Sequence, residues 1–231
     1  MIIDLGLTDY ETTYRSQMEL VSKRKLGEVD DSVIITEHRP VFTLGRAGRK
    51  DDLLVSNKVL SERGIKVLNV DRGGDITFHG PGQLVLYPII DLKARGRDLH
   101  HYLRDLESVI ISFLNTYGVI AERVKGKTGV WVGTKKIASI GIGTSNWVTY
   151  HGASVNINVE LGYFAMIHPC GMKDVTMTSL SSITGSVITM REATDNLLAC
   201  FKRVFNSPYR NPRGREPRPG RGGWTINQEA L

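Results

Sequence analysis

The chain is poor in cysteine: Cys170 and Cys200 are the only thiols in 231 residues. Two thiols cannot build a disulfide framework or a tetrahedral thiolate cluster, so the fold must rest on a hydrophobic core, and a reducing compartment suits it. The metal motifs HExxH and CxxC are missing. His100 and His101 merely stand side by side near a helix start, and no metal is expected. No long apolar run occurs. QLVLYPII ends at Asp91 and Lys93, short of the roughly 18 residues a spanning helix needs, so no membrane association is expected. The opening MIIDLGLTDYETTY resembles neither a basic-then-apolar signal nor an arginine-rich leader, which makes the cytoplasm the expected location. Asp71, Asp75 and Asp91 show no spacing that singles out a carboxylate pair, which argues against glycosidase chemistry. No repeat of fixed period appears, and solenoids drop out.

What is present is a hydrophobic fraction of 41%, enough for one sizeable core in a chain of this length. We expect one domain over residues 1–206. Beyond it, residues 207–231 are rich in Arg, Pro and Gly, the composition of a disordered tail. The net charge of +6 and pI near 9.3 suit electrostatic docking of an acidic protein. Nucleic acid is the other partner a basic chain invites. It is not expected here, because outside the tail only scattered pairs such as Lys202 and Arg203 occur. A monomer is the default.

Tyr10, Tyr14, Met18 and Val21 recur at helical spacing and predict a first helix over 10–21, ended by Lys23–Lys25 and Gly27. SVIITEH and PVFTLGR read as strands around Pro40, at an edge or in a strand-loop-strand unit. A short helix over 52–63 leads through Gly64 into the strand IKVLNV. The loop DRGGDITFHGPG then separates that strand from QLVLYPII. The clearest helix runs from Asp98 to about Tyr117, with Leu99, Tyr102, Leu106, Val109, Ile110, Phe113 and Leu114 on one side. VIAERV, GVWVG, KKIASIGIG and HGASVNINV follow as strands, the last with one covered face. A final helix begins near Thr189, capped by its hydroxyl with Glu192 three positions on. This order predicts an α+β (α/β) domain, a mixed sheet covered by helices on one side.

Four segments carry side chains suited to chemistry. In RGGDITFHGPGQ, glycines 73, 74, 80 and 82 let the backbone turn sharply and approach a ligand, and exposed amides can hold an anion or a carbonyl oxygen. The segment lacks a Walker GK[ST] ending and a GxGxxG fingerprint, so it gives no case for a nucleotide. An ordinary connection fits it too, and His79 within it is either structural or substrate-facing. In TKKIASIGIG, adjacent Lys135 and Lys136 point to opposite faces of a strand. Either both are solvated, or one faces inward above the small Ala138, Ser139 and Gly141. Cys170, between Pro169 and Gly171, sits outside any long periodic element, whereas Cys200 has the setting of a buried core thiol. A cation nearby would make Cys170 a nucleophile; without one it is simply an exposed thiol. Asn156 and Asn158 share a strand face and look either to solvent or to partners in the glycine loop.

Read together, RGGDITFHGPGQLVLYPI, KKIASIGI, HGASVNIN and HPCGMKDVTMTSL resemble, in order, the signature segments of the octanoyltransferases of lipoate biosynthesis. The resemblance covers about residues 32–180. It implies the fold of biotin and lipoate protein ligase catalytic domains and no cofactor. The donor it implies is octanoyl acyl carrier protein. The implied acceptor is a lysine on a lipoyl domain of a 2-oxoacid dehydrogenase or on the glycine cleavage H protein. Cys170 matches the family's acyl-thioester nucleophile and Lys136 the lysine that lowers its pKa. Arg72, Gly73, Gly74, Asp75, Ile76, Thr77, Phe78 and His79, with Ser139, Ile140 and Gly141 and with His151, Gly152 and Ala153, match its substrate-binding positions. Met177 departs from a segment that often reads VTSL, away from the reacting groups. An ATP-using lipoate or biotin ligase is the alternative within the same fold. It would have no need of Cys170.

Overall fold

The computed structural model describes residues 1–171 and 175–206, without the side chain of Cys170. The strands are β1 (Ile2–Thr8), β2 (Ser32–His38), β3 (Val41–Leu44), β4 (Lys66–Asn69), β5 (Ile76–His79), β6 (Gln83–Ile89), β7 (Glu122–Val124), β8 (Lys127–Val132), β9 (Lys135–Ser145) and β10 (Val148–Asn156). The helices are α1 (Tyr10–Leu26), α2 (Asn57–Glu62), α3 (Leu99–Asn115), α4 (Leu180–Thr184) and α5 (Met190–Asn206). Seven strands form a mixed sheet in the order β1-β2-β6-β10-β9-β8-β7, and β4-β3-β5 form a smaller one.

Alternation along the central strands decides where the helices go. Val33, Ile35, Leu84 and Leu86 face one way and pack with α3 and α5 through Leu106, Ile110, Phe113, Leu197 and Phe201. Ile34, Val85, Tyr87 and Ile89 face the other way and pack with Leu20 and Val21 of α1. The sheet is therefore covered on both faces, not on one. For the same reason β10 is buried along its whole length rather than on one side.

Other departures from the sequence reading are local. β1 was not anticipated; it pairs parallel to β2, with a register shift between Asp4 and Leu7. That pairing makes β2 an inner strand, and Pro40 carries the chain out of the large sheet into β3, the middle of the small one. The glycine-rich connection contains β5, which pairs antiparallel with β3. α1 continues to Leu26, its basic residues lie in its last turn, and Gly27 caps it at φ 76°. Only Glu122–Val124 of VIAERV is extended. The helix over 52–63 shrinks to Asn57–Glu62 behind a 3-10 turn at Lys50–Asp52. Asp98 caps α3, accepting from the His101 amide at 3.0 Å. The Glu192 amide donates to the Thr189 hydroxyl at 3.3 Å, as its sequence suggested.

Cys200 is buried in the α5 core. Among the described residues no helix is long and apolar enough to cross a membrane, and no cluster of three potential metal ligands occurs. The Arg-rich stretch of 207–231 lies outside the described residues.

Candidate active site

A pocket of about 310 Å³ opens where the small sheet meets the large one. Its floor is β9 and β10, through Lys136, Ser139, Ile140, Gly141, His151, Gly152, Ala153 and Ser154. One wall is the loop and strand carrying Arg72, Gly74, Asp75, Ile76, Thr77 and His79, and Tyr10 of α1 closes another. Gly141 and Gly152 pair across β9 and β10, which leaves the floor without side chains at its centre. A Cβ on Gly141 would lie 2.7 Å from the Gly73 carbonyl oxygen, so only glycine lets the loop lie this low. The Gly73 amide fixes the loop to the floor by donating to the Ile142 carbonyl at 2.8 Å.

Twelve of the fourteen positions matched to substrate binding line this pocket, as does Lys136. Gly73 and Phe78 do not. Phe78 turns to the opposite side of β5, where it stacks on Tyr163 at 4.4 Å and meets Phe42 at 5.4 Å. Arg72 is buried and staples its own loop to β3. Its Nη2 donates to the Thr43 and Asp75 carbonyls, each at 2.6 Å, and its Nη1 to the Gly73 carbonyl at 3.0 Å.

Lys135 and Lys136 diverge as alternation requires, the first exposed and the second 2% exposed. Lys136 Nζ donates to the Thr128 carbonyl at 3.0 Å and stands over the Trp131 ring. Its backbone is gripped on both sides by the segment that follows Cys170: the Lys136 amide donates to the Thr176 carbonyl, and the Thr178 amide to the Lys136 carbonyl, each at 2.9 Å. Upstream, the His168 amide donates to the Asp52 carbonyl at 2.8 Å, and Pro169–Gly171 form a 3-10 turn. A Cβ on Gly171 would collide with the Asp75 carboxylate, so this turn rests against the pocket wall. The expected nucleophile's side chain, on Cys170, lies outside the described part.

At the pocket wall His79 and His151 belong to a cluster whose other members, Tyr10 and His38, the sequence did not announce. Tyr10 lies against three imidazoles, with ring centroids 5.2 Å from His38, 5.9 Å from His79 and 6.5 Å from His151. His79 Nδ1 donates to Gln83 Oε1 at 2.7 Å, which leaves Nε2 as its acceptor. His151 Nε2 donates to Asp71 at 2.8 Å, and Asp71 also accepts from the Tyr150 hydroxyl at 2.7 Å. Burial pulls the pKa of His79 well below the usual value, and the neighbouring His38 adds to this. Burial likewise lowers His151, against an opposing pull from Asp71. Burial pushes the Asp71 carboxyl up, yet the hydrogen bonds from His151 and Tyr150 outweigh it and hold the group below its usual range. Asn156 faces neither solvent nor the glycine loop backbone. It accepts from Gln83 Nε2 and donates to the Thr178 carbonyl, both at 2.9 Å, tying β10 to the segment beside Lys136.

The chain matches the family model described as the lipoyl protein ligase A/B catalytic domain over residues 9–202. The octanoyltransferase of Syntrophotalea carbinolica is 43% identical over 206 residues, 89% of this chain and 94% of that protein. The octanoyltransferase of Rubrobacter xylanophilus is 44% identical over 205 residues, covering 88% and 92%. Among solved structures, a bi-partite lipoate protein ligase from Thermoplasma acidophilum superposes with a TM-score of 0.66 at 14% identity, over 89% of this chain and 83% of that one. The biotin protein ligase of Aquifex aeolicus in complex with biotin and ATP gives 0.56 at 18% identity, over 89% and 70%. These two share the fold. The pocket between the two sheets and the near full-length identity to the curated relatives lead to one conclusion: the chain belongs to the lipoyl protein ligase A/B catalytic-domain family and, within it, to the octanoyltransferases.

Proposed function

We propose that this octanoyltransferase works in two covalent steps on a single catalytic unit, 1–206, with octanoyl acyl carrier protein as donor. The acceptor is a lysine on a lipoyl domain or on the glycine cleavage H protein, and the reaction runs in the cytoplasm. Cys170 attacks the donor thioester as a thiolate, and the carrier's thiol leaves with a proton from the Lys136 ammonium. Backbone amides of the loop carry the oxyanion of the tetrahedral intermediate. The acceptor lysine then attacks the Cys170 thioester and loses its proton to the now neutral Lys136, and the cysteine departs as thiolate beside an ammonium. Atoms and charges balance over the cycle, and neither ATP nor a metal takes part.

One observation carries this reading. Lys136 is buried in the pocket, and hydrogen bonds on both sides of its backbone hold it to residues 176–178, in the segment that follows Cys170. The acyl chain then occupies the space over Gly141 and Gly152, lined by Ser139, Ile140 and Ala153, with Arg72 and His79 at the wall. The net charge of +6 favours encounter with acidic carrier domains.

The test is intact-mass spectrometry after mixing the enzyme with octanoyl acyl carrier protein in the absence of ATP, beside Cys170→Ser. The expected result is a hydroxylamine-labile octanoyl adduct that needs Cys170 and discharges onto a lipoyl-domain lysine. Product formed only when ATP is supplied, with no adduct, would replace this mechanism by adenylation.

A further inference from the structure

Lys136 has a long, flexible side chain, and its usefulness to a neighbouring sulfur depends on where Nζ is held. The Thr128 carbonyl that accepts from Nζ at 3.0 Å belongs to the same peptide unit as the Gly129 amide. That amide donates, on its other side, to Glu107 Oε1 at 3.3 Å. Gly129 has φ 119°, and a Cβ there would stand 2.7 Å from Lys136 Cε and 2.5 Å from the Ala138 carbonyl oxygen. The peptide therefore lies directly against the lysine stem, with no room for a side chain between them.

Glu107 is out of place on the face where it sits. It lies on the buried side of α3 among Tyr102, Leu106, Val109, Ile110 and Leu114, and the residue is 0% exposed. A carboxylate in such surroundings is costly unless every acceptor site is used. Oε2 accepts from Arg104 Nη1 at 2.6 Å and from Arg123 Nε at 2.8 Å. Both arginines keep substantial solvent exposure, 56% and 38% for their side chains, so pairing them did not require a buried carboxylate. What burial does achieve is to bring Oε1 to the Gly129 amide.

We propose that Glu107 is a positioning residue for Lys136, acting through the Thr128–Gly129 peptide. The carboxylate orients that peptide, and the oriented carbonyl aims Nζ. Arg104 from α3 and Arg123 from β7 pair with the carboxylate, and Lys127 from β8 and Lys136 from β9 both stand over the Trp131 ring. This inference rests on the reading of Lys136 given above.

The experiment compares Glu107→Met, Glu107→Gln, Lys136→Ala and the Glu107→Met/Lys136→Ala double variant. Met fills the space and keeps the helix but cannot accept; Gln keeps an acceptor for Gly129. Thermal unfolding first checks that each variant is folded. Single-turnover acylation by octanoyl acyl carrier protein and the pH profile of iodoacetamide alkylation of Cys170 are then measured. Glu107→Met is expected to slow acylation about tenfold or more, the scale on which misplacement of a catalytic group acts. The carrier-protein KM stays unchanged, and the alkylation profile moves to higher pH. Glu107→Gln falls between Met and the unsubstituted enzyme, and the double variant is no slower than Lys136→Ala.

Unchanged acylation in folded Glu107→Met, or losses that multiply in the double variant, would overturn the proposal while leaving Lys136 in place. Normal acylation by Lys136→Ala would overturn the Lys136 reading and this inference together. Should Glu107→Met not fold, Glu107→Gln decides, and a rate and pH profile equal to those of the unsubstituted enzyme would sink the idea.

Discussion

Moving from pH 7 to pH 5 should remove stability from this fold through imidazoles that it keeps neutral, and His38 allows the amount to be worked out. His38 is fully buried at the end of β2. Its Nδ1 donates to the Thr8 carbonyl at 3.3 Å, so Nε2 accepts from the Tyr87 hydroxyl at 2.8 Å. A second proton would find a hydroxyl hydrogen in its way. Burial lowers the pKa of His38 from 6.5 to about 4. Between those values the unfolded chain binds a proton that the folded chain refuses, so stability falls as pH falls. The contribution is complete above about 6.5 and fully lost below about 4. A difference of this size corresponds to about 3 kcal/mol in total, of which about 2 kcal/mol is gone by pH 5. His79 and His151 are lowered in the same direction and steepen the trend.

Urea unfolding at pH 7 and pH 5 reads this directly, with His38→Gln as the partner measurement. Gln can donate to Thr8 and accept from Tyr87 but does not titrate. The variant should be less stable at pH 7 and should close most of the gap at pH 5. A stability difference that stays constant between the two pH values would refute the assignment of His38 as a neutral, proton-refusing group.

Two further outcomes follow from the geometry. Gly152→Ala places a methyl on the Leu86 carbonyl oxygen and 2.8 Å from Pro88 Cδ, which should cost about 1–3 kcal/mol and appear as a lowered Tm with reduced octanoyl transfer. Asp71→Asn keeps the shape but cannot satisfy Tyr14, Tyr150 and His151 together, since all three donate to the carboxylate. A loss of about 1–3 kcal/mol in chemical denaturation is expected, larger at pH 7 than at pH 3, because below the ordinary value of 3.8 the unfolded chain takes up a proton that the folded carboxylate resists.

Helical periodicity made α3 and α5 readable in the sequence, because each buries one apolar stripe against a single layer. The strand pattern gave most of the large sheet but misjudged its coverage. β10 alternates in size and polarity, yet both its faces are buried, which no local window reveals. β5 was hidden in a glycine-rich stretch because its four residues pair with β3, which is distant in sequence. At the site, alternation separated Lys135 from Lys136, although it could not say which face was covered. Tyr10 and Thr128 join the pocket from two unconnected segments, and Asp71 reaches it only through His151. Their spacing along the chain carries no signal of it. Glu107 carries no such signal either, since its partners Arg123 and Gly129 lie on later strands.

The rims of the large sheet bear on how the protein behaves at high concentration. An outer strand with a regular row of free amides and carbonyls is a template for another chain. In β1 that row is broken where the register shifts between Asp4 and Leu7; Gly6 turns to φ 57°, and its amide is taken by the Asp4 carboxylate at 2.9 Å. At the opposite rim β7 is only 3 residues long. Among the described residues, neither rim of the large sheet offers a long unbroken run on which a second copy could add its own strand, although the sheet has two open sides.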